Sequence, residues 1–276
     1  MPVVIAGVLN LTPDSFSDGG RFASVESAVA AGLAMALAGA DWIDIGGEST
    51  RPHSAPVPEG EEIRRVVPVI EHLASKLGSR ARISIDTYKA GTARAALAAG
   101  ASLVNDVSGG LLEPAVLEMA ARANAGVVVG HLRGHPATMM ENVHFDDVVA
   151  EVTAELGLRI AAARTSGCTE IWADPGIGFG KTLNHNLTLL AHLPSLRLRL
   201  GVPLMVGVSR KRFIGDLTGR PVADRVFGTA AAVTAAILGG AAVIRVHDVR
   251  EMYDVVKVAE AISSARLASY NGEPNG

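Results

Sequence analysis

"RISIDTYKAGTARAALAAGASLVNDV", residues 82–107, holds one full period of the pattern that decides the fold. Arg82 to Ile85 is a short β-rich run closed by Asp86. "AGTARAALAAGA" (90–101) then carries the alanine-rich spacing of a helix, and Gly100 supplies a left-handed stop. Ser102 to Val104 opens the next strand, which again ends on polar residues, Asn105 and Asp106. A strand, a helix and a second strand of this kind form a unit of roughly 30 residues.

The same unit recurs along the chain. Further strands are expected at Val3 to Leu9, Trp42 to Ile45, Val127 to Gly130, Glu170 to Ala173, Pro203 to Val208 and Ala242 to Val246. Helices are expected to stop at Gly39, Gly100, Gly126, Gly167, Gly201 and Gly240. Strands written as near-continuous apolar runs belong to parallel sheets buried on both faces. About eight such units without a linker predict an α/β fold, a single-domain (β/α)₈ TIM barrel over residues 1–276, with about 264–276 as a flexible tail. A doubly wound open sheet is the alternative. It would carry a dinucleotide fingerprint after its first strand, where this chain reads "LNLTPDSF" (9–16).

Composition narrows the function. The chain is 49% hydrophobic and 4% aromatic with a net charge of −3, so no basic field exists to hold nucleic acid. Its one cysteine, Cys168, forms no internal disulfide and suits a reducing compartment. Met1 leads into a strand with no basic segment before it, which predicts no secretory signal and a cytoplasmic location. Val226 to Ile244 is uncharged and long enough to imitate a membrane span. Its alanine content and the Gly239-Gly240 break predict a buried helix, a turn and a strand instead.

Barrels place their chemistry at the C-terminal strand ends. Those ends present Asn10, "GGESTRP" (46–52), Asp86, Asn105-Asp106, His131, Asp174, Ser209-Arg210-Lys211, and Arg245 with His247. Any one of these reads equally well as a helix cap or turn residue. Repeated around one rim, they predict a ligand site, because burying such groups without partners is costly. Asp86, Asn105 and Asp174, with Lys211 beside them, suit a flat heterocycle rich in N–H and C=O groups. Thr50, Arg51, Arg245 and His247 are donors for a phosphate or diphosphate. Asn10 offers an oxygen to a phosphate-bound Mg²⁺.

Three patterns are set aside. "PGIGFGKT" (175–182) resembles a phosphate-binding Walker loop but has Pro175 where glycine is required. His131 and His135 have zinc-like spacing, yet "HLRGHP" (131–136) reads as a loop with no third ligand. Cys168 precedes strand six, at the floor of the barrel, and reads as packing.

Together, "GVLNLTPDSFSDGG" (7–20), "DIGGESTRP" (44–52), "SIDTYK" (84–89), "NDVSGG" (105–110), "DPGIGFGK" (174–181), "SRKRFIG" (209–215) and "RVHDV" (245–249) resemble the signature segments of the dihydropteroate synthase family. The likeness runs from about residue 5 to 262. It implies a pterin-binding (β/α)₈ barrel that joins 6-hydroxymethyl-7,8-dihydropterin diphosphate to p-aminobenzoate with Mg²⁺, usually as a homodimer. Carried over by position, it assigns Asp86, Asn105, Asp174 and Lys211 to the pterin. Thr50, Arg51, Arg245 and His247 go to the diphosphate and Asn10 to the magnesium. Phe16 and Pro52 would wall the p-aminobenzoate pocket, and Asp18 would steady positive charge on the pterin methylene. The implied catalytic group is Asp18, Lys211, Arg245 and His247, and the implied inhibitors are sulfonamides.

Two departures from the family pattern lie on the p-aminobenzoate side. His53-Ser54 stands where Gly-Ala is common, and Arg212 where a serine commonly meets the carboxylate. They carry the expectation of a sulfonamide-insensitive variant, with Arg212 as a substrate-binding residue. Two rivals share the barrel: a pterin-dependent methyltransferase, against which Thr50-Arg51 and Lys211 count, and a non-catalytic pterin-binding protein, which would be expected to have lost Asn10, Asp18 or Lys211.

Overall fold

The computed structural model describes residues 2–11, 24–50 and 54–270. Eight parallel strands follow in order: β1 (Val4–Asn10), β2 (Trp42–Gly46), β3 (Arg82–Asp86), β4 (Leu103–Asp106), β5 (Gly126–Gly130), β6 (Ile171–Asp174), β7 (Met205–Gly207) and β8 (Val243–Val246). They pair in the order 6-5-4-3-2-1-8-7. The two ends of that row meet, because Ala173 bridges Leu204 and its N–H donates to the Pro203 carbonyl at 3.0 Å. The sheet closes into a barrel, and the open doubly wound alternative fails.

The helices among the described residues are α1 (Val25–Leu37), α2 (Glu59–Leu77), α3 (Ala90–Ala98), α4 (Ala115–Arg122), α5 (Val148–Thr165), α6 (Leu183–Ala191), α7 (Leu193–Leu200), α8 (Arg212–Thr218), α9 (Val226–Leu238) and α10 (Val249–Tyr270). They pack on the outer strand residues. Ile43, Ile45, Ile83, Ile85, Val127 and Val129 share one core with helix faces such as Val66, Val69, Ile70, Leu73 and Leu77 of α2.

Alternate strand residues turn inward. Ala6, Trp42, Leu103, Val128, Met205 and Val243 form a separate apolar plug inside the barrel. Trp42 and Trp172 meet edge to face at 4.8 Å. Arg82 lies about 6 Å from both rings and grips Glu170 with two bonds of 2.8 Å, closing the floor. Two residues along each strand, the inward position changes character. Trp42 is followed by Asp44, Leu103 by Asn105, Trp172 by Asp174, and Val243 by Arg245. The pleat that fills the barrel below thus builds a polar layer directly above it.

Five of the six expected glycine stops have positive φ: Gly39, Gly100, Gly167, Gly201 and Gly240. Gly126 does not. It opens β5, and the left-handed residue after α4 is Asn124 at φ 50°, a residue type that tolerates this region. Glycine is required at 126 for space instead, since a Cβ there would lie 2.7 Å from Leu103 and 2.8 Å from Trp172. Residues 264–270, expected in a flexible tail, continue α10. The segment 226–244 forms α9, a turn and β8, as expected, although Phe227 is exposed. No described helix is long and apolar enough to cross a membrane.

Candidate active site

Above the apolar plug lies a cleft lined by Thr50, Asp86, Asn105, Asp174, Lys211 and Arg245, with Val107, Gly130, His131, Gly176, Phe179 and Gly207. Six of the residues expected from the sequence therefore converge. They do so because strand register sets Gly46 beside Asp86, Asp86 beside Asn105, Gly130 beside Asp174 and Gly207 beside Arg245.

Arg245 is the hinge of the charge arrangement. Its Nε donates to Asp44 Oδ2 and its Nη2 to Asp86 Oδ2, both at 2.6 Å. Asp44 Oδ2 also accepts from Asn105 Nδ2 at 3.0 Å. That bond fixes the Asn105 amide with its oxygen turned the other way. Asp44, nearly fully buried, was not singled out in the sequence, although its inward parity between Trp42 and Gly46 marks it. Burial pushes the Asp86 carboxyl up to about 7, against the pull of Arg245 and with the push of Asp44. Burial also raises Asp174, while Lys211 and the Gly176 N–H, which donates to its Oδ1 at 2.7 Å, oppose the shift.

Lys211 reaches this layer through an unusual turn. Arg210 stands at φ 57°, a conformation rare for arginine, and its Nε donates to Asp248 at 2.9 Å beyond β8. Arg225 donates to the Arg210 and Lys211 carbonyls at 3.1 and 3.4 Å. Lys211 is thereby turned inward, where Nζ donates to the Ile177 carbonyl and sits 4.5 Å over the Phe179 ring. Burial lowers it to about 8, with Asp174 holding it up and Arg245 pushing it down.

The rim holds two more of the expected residues. Asn10 ends β1, and a Cβ added to Gly46 would meet both its Oδ1, at 3.7 Å, and Asp86 Oδ2, at 3.6 Å. His247 is tied to β7 by Ser209, whose Oγ accepts its N–H at 3.1 Å and lies 3.0 Å from its Nδ1. Thr50 belongs to a loop anchored by buried Glu48, which accepts from Tyr88, Lys89 and the Val57 N–H at 2.7, 2.6 and 2.8 Å. Lys89 also bonds Glu62 at 2.8 Å. Phe16, Asp18, Arg51, Pro52 and His53 lie outside the described residues. Arg212 is not among the cleft's lining residues: its side chain is 83% exposed and lies 3.6 Å from Asp216 on the next turn of α8. Asp106, facing outward, accepts from the Ser108 and Gly110 N–H groups and shapes its own turn.

His131 and His135 differ in burial, the first buried and the second exposed. His131 is buried against Lys181 and Glu155, and no cluster of three His, Cys, Asp or Glu occurs among the described residues. Cys168 is buried beside the Leu117 carbonyl before β6.

Residues 6–247, from β1 to the rim histidine, match the family described as pterin binding enzyme. The dihydropteroate synthase of Synechocystis is 46% identical, aligned over 94% of this chain and 89% of its own. The chain belongs to the dihydropteroate synthase family. The Escherichia coli K12 enzyme is 43% identical, over 95% and 92% of the two chains. The chain spans about half the length of the plant bifunctional folate synthesis protein of Arabidopsis, at 44% identity. Among solved structures, Yersinia pestis dihydropteroate synthase with a sulfonamide drug superposes with a TM-score of 0.89 at 42% identity, covering 95% of each chain. The Xanthomonas albilineans enzyme with 4-aminobenzoic acid gives 0.87 at 47%, covering 95% of this chain and 93% of its own.

Proposed function

We infer that this chain condenses 6-hydroxymethyl-7,8-dihydropterin diphosphate with p-aminobenzoate, giving 7,8-dihydropteroate and diphosphate for folate synthesis. The observation that carries this reading is the convergence of Asp86, Asn105, Asp174, Lys211 and Arg245 over the apolar plug. A flat pterin laid on that plug meets carboxylates for its N–H donors and an amide oxygen and an ammonium for its remaining edge. The relatives that match nearly end to end carry the same activity in name.

Arg245 keeps donors beyond the two engaged by Asp44 and Asp86. With His247, Thr50 and Arg51 it would receive the diphosphate and stabilise charge developing on the departing oxygens. The resulting cation, delocalised into the pterin, is captured by the aniline nitrogen, so water must be kept out. Phe16, Asp18 and Pro52 belong to the two segments that follow β1 and β2; the assignment of Phe16 and Pro52 to the p-aminobenzoate pocket, and of Asp18 to the positive charge on the pterin methylene, rests on the family resemblance.

The donor set at the rim fits Mg²⁺, a hard cation that takes few protein oxygens and completes its shell with water and substrate phosphates. Asn10 Oδ1, at the end of β1, is the oxygen that would hold it. Bound there, the ion would draw charge from the diphosphate. Asn10→Ala is expected to weaken Mg²⁺-dependent diphosphate binding about tenfold while leaving a pterin analogue without phosphates bound normally. Calorimetric titration of both ligands separates the effects, and equal losses would make Asn10 a structural residue.

The deciding experiment measures diphosphate release with both substrates, then without p-aminobenzoate and without Mg²⁺. Release that requires p-aminobenzoate and is matched by dihydropteroate supports the reading; no product from either mixture overturns it. A homodimer is part of the same reading, supported by exposed Phe227, Val258 and Ile262 on α9 and α10, and sedimentation velocity tests it. The reaction and the buried thiol fit a reducing cytoplasm.

Weak sulfonamide binding is the remaining proposal. Ser54 donates to Ser49 Oγ at 2.9 Å and so adjoins the loop of Thr50. Arg212, exposed in this structure, would have to swing inward to meet a carboxylate. Replacing His53 by Gly, Ser54 by Ala and Arg212 by Ser is expected to lower the ratio of sulfonamide Ki to p-aminobenzoate KM about tenfold. An unchanged ratio removes these residues from drug discrimination.

A further inference from the structure

Beside the pterin cleft, which His131 helps to line, lies a set of titratable groups that the reaction above does not use. Lys181, only 3% exposed, places Nζ 2.9 Å from His131 Nδ1 and 3.0 Å from the Phe179 carbonyl. The other ring nitrogen of His131 lies 3.1 Å from Glu155 of α5. An ammonium can only donate, so Nδ1 accepts and Nε2–H donates to the carboxylate. Burial holds the imidazole neutral by pushing it down to about 4, and Glu155 falls to about 2 beside His131 and Arg133.

The set supports the turn that forms one wall of the cleft. That turn, residues 175–180, offers the Ile177 carbonyl to Lys211, sets the Phe179 ring under it, and donates the Gly176 N–H to Asp174. It has no slack, because a Cβ on Gly176 would lie 2.0 Å from the His131 carbonyl oxygen. Asp174 of β6 and Glu155 attract its charge, Lys211 and Arg159 repel it, and the Phe145 ring lies 5.9 Å from Lys181 Nζ.

We propose that Lys181 is a positioning residue for the pterin, holding the 175–180 turn by its contacts to Phe179 and His131. The inference rests on the pterin-site reading. Burial lowers Lys181 to about 7, so it is partly charged at neutral pH, and its charge is one of those that oppose the upward shift of Asp174. Removing that charge makes Asp174 easier to protonate and a poorer acceptor for pterin N–H groups.

The test is calorimetric binding of a pterin analogue without diphosphate, as a function of pH, to wild type, Lys181→Met and Lys181→Arg. Lys181→Met is expected to weaken binding about tenfold and to move the acidic loss of binding to higher pH, with the KM for p-aminobenzoate unchanged. Lys181→Arg should keep that acid limb near the wild-type position. If circular dichroism shows Lys181→Met unfolded, His131→Leu removes one of the two lysine contacts and is expected to weaken binding about threefold. Wild-type affinity and an unmoved acid limb in the folded variant overturn the proposal. Wild-type protein that binds the analogue but forms no dihydropteroate would overturn the function and leave Lys181 standing.

Discussion

Lys211→Ala is expected to lower kcat/KM by two to three orders of magnitude, and Asp174→Asn by a similar amount. Lys211 is held inward by the strained Arg210 turn, the Ile177 carbonyl and the Phe179 ring, and its charge faces Asp174. A charge-assisted hydrogen bond to substrate from such a place is worth about 2–4 kcal/mol, and each 1.4 kcal/mol is tenfold. Because burial lowers Lys211 to about 8, its proton is present below that pH and lost above it. Wild-type kcat/KM should therefore fall on the alkaline side through about pH 8, and this limb should vanish in Lys211→Ala. Steady-state kinetics across pH, on protein shown to be folded, reads both effects. Near-normal activity in both variants removes these residues from the pterin site.

Arg245→Met is expected to cost about 3–5 kcal/mol of folding stability as well as most activity. The guanidinium sits between Asp44 and Asp86, both buried, so its removal leaves this carboxyl pair without its compensating positive charge. The pH dependence distinguishes this cause from lost packing. Burial raises the Asp86 carboxyl above the ordinary carboxyl range, so the stability tied to its proton is full below about pH 4 and is lost as pH rises through its raised native value. Without Arg245 that native value rises further. The deficit of the variant in urea denaturation should then be larger at pH 8.5 than at pH 5.5. Equal deficits at the two values would assign the loss to packing.

The Asp44 Oδ1 atom, buried with no partner among the described residues, belongs to the same account. It shows that the layer is not satisfied internally, which is costly unless function retains it. Asn105 and Arg245 both take their orientation from this carboxylate.

Strand and helix order was legible in the chain because buried parallel strands are written as apolar runs and helices end at residues that accept positive φ. Asn10, Asp86, Asn105, Asp174 and Lys211 were legible because they fall where apolar runs stop, and the family motifs add their chemistry. Asp44 was harder to find, since an acidic residue inside a strand reads the same whether it faces core or cleft.

The sequence by itself determined which groups a rim of eight strand ends would present. Tertiary structure decided which of them meet. Arg245 reaches Asp44 across 201 residues and Asp86 across 159, and no local pattern encodes those pairings. Closure between β6 and β7 decided barrel over open sheet, through the bridge of Ala173 to Leu204 and the Ala173 N–H bond to the Pro203 carbonyl. Side-chain direction was likewise a tertiary matter. Arg212 follows Lys211 immediately, yet the start of α8 sends one to solvent and the turn before it sends the other into the cleft. A one-residue step reverses exposure because backbone dihedrals, set here by the Arg210 turn and its Asp248 and Arg225 contacts, decide where each side chain points.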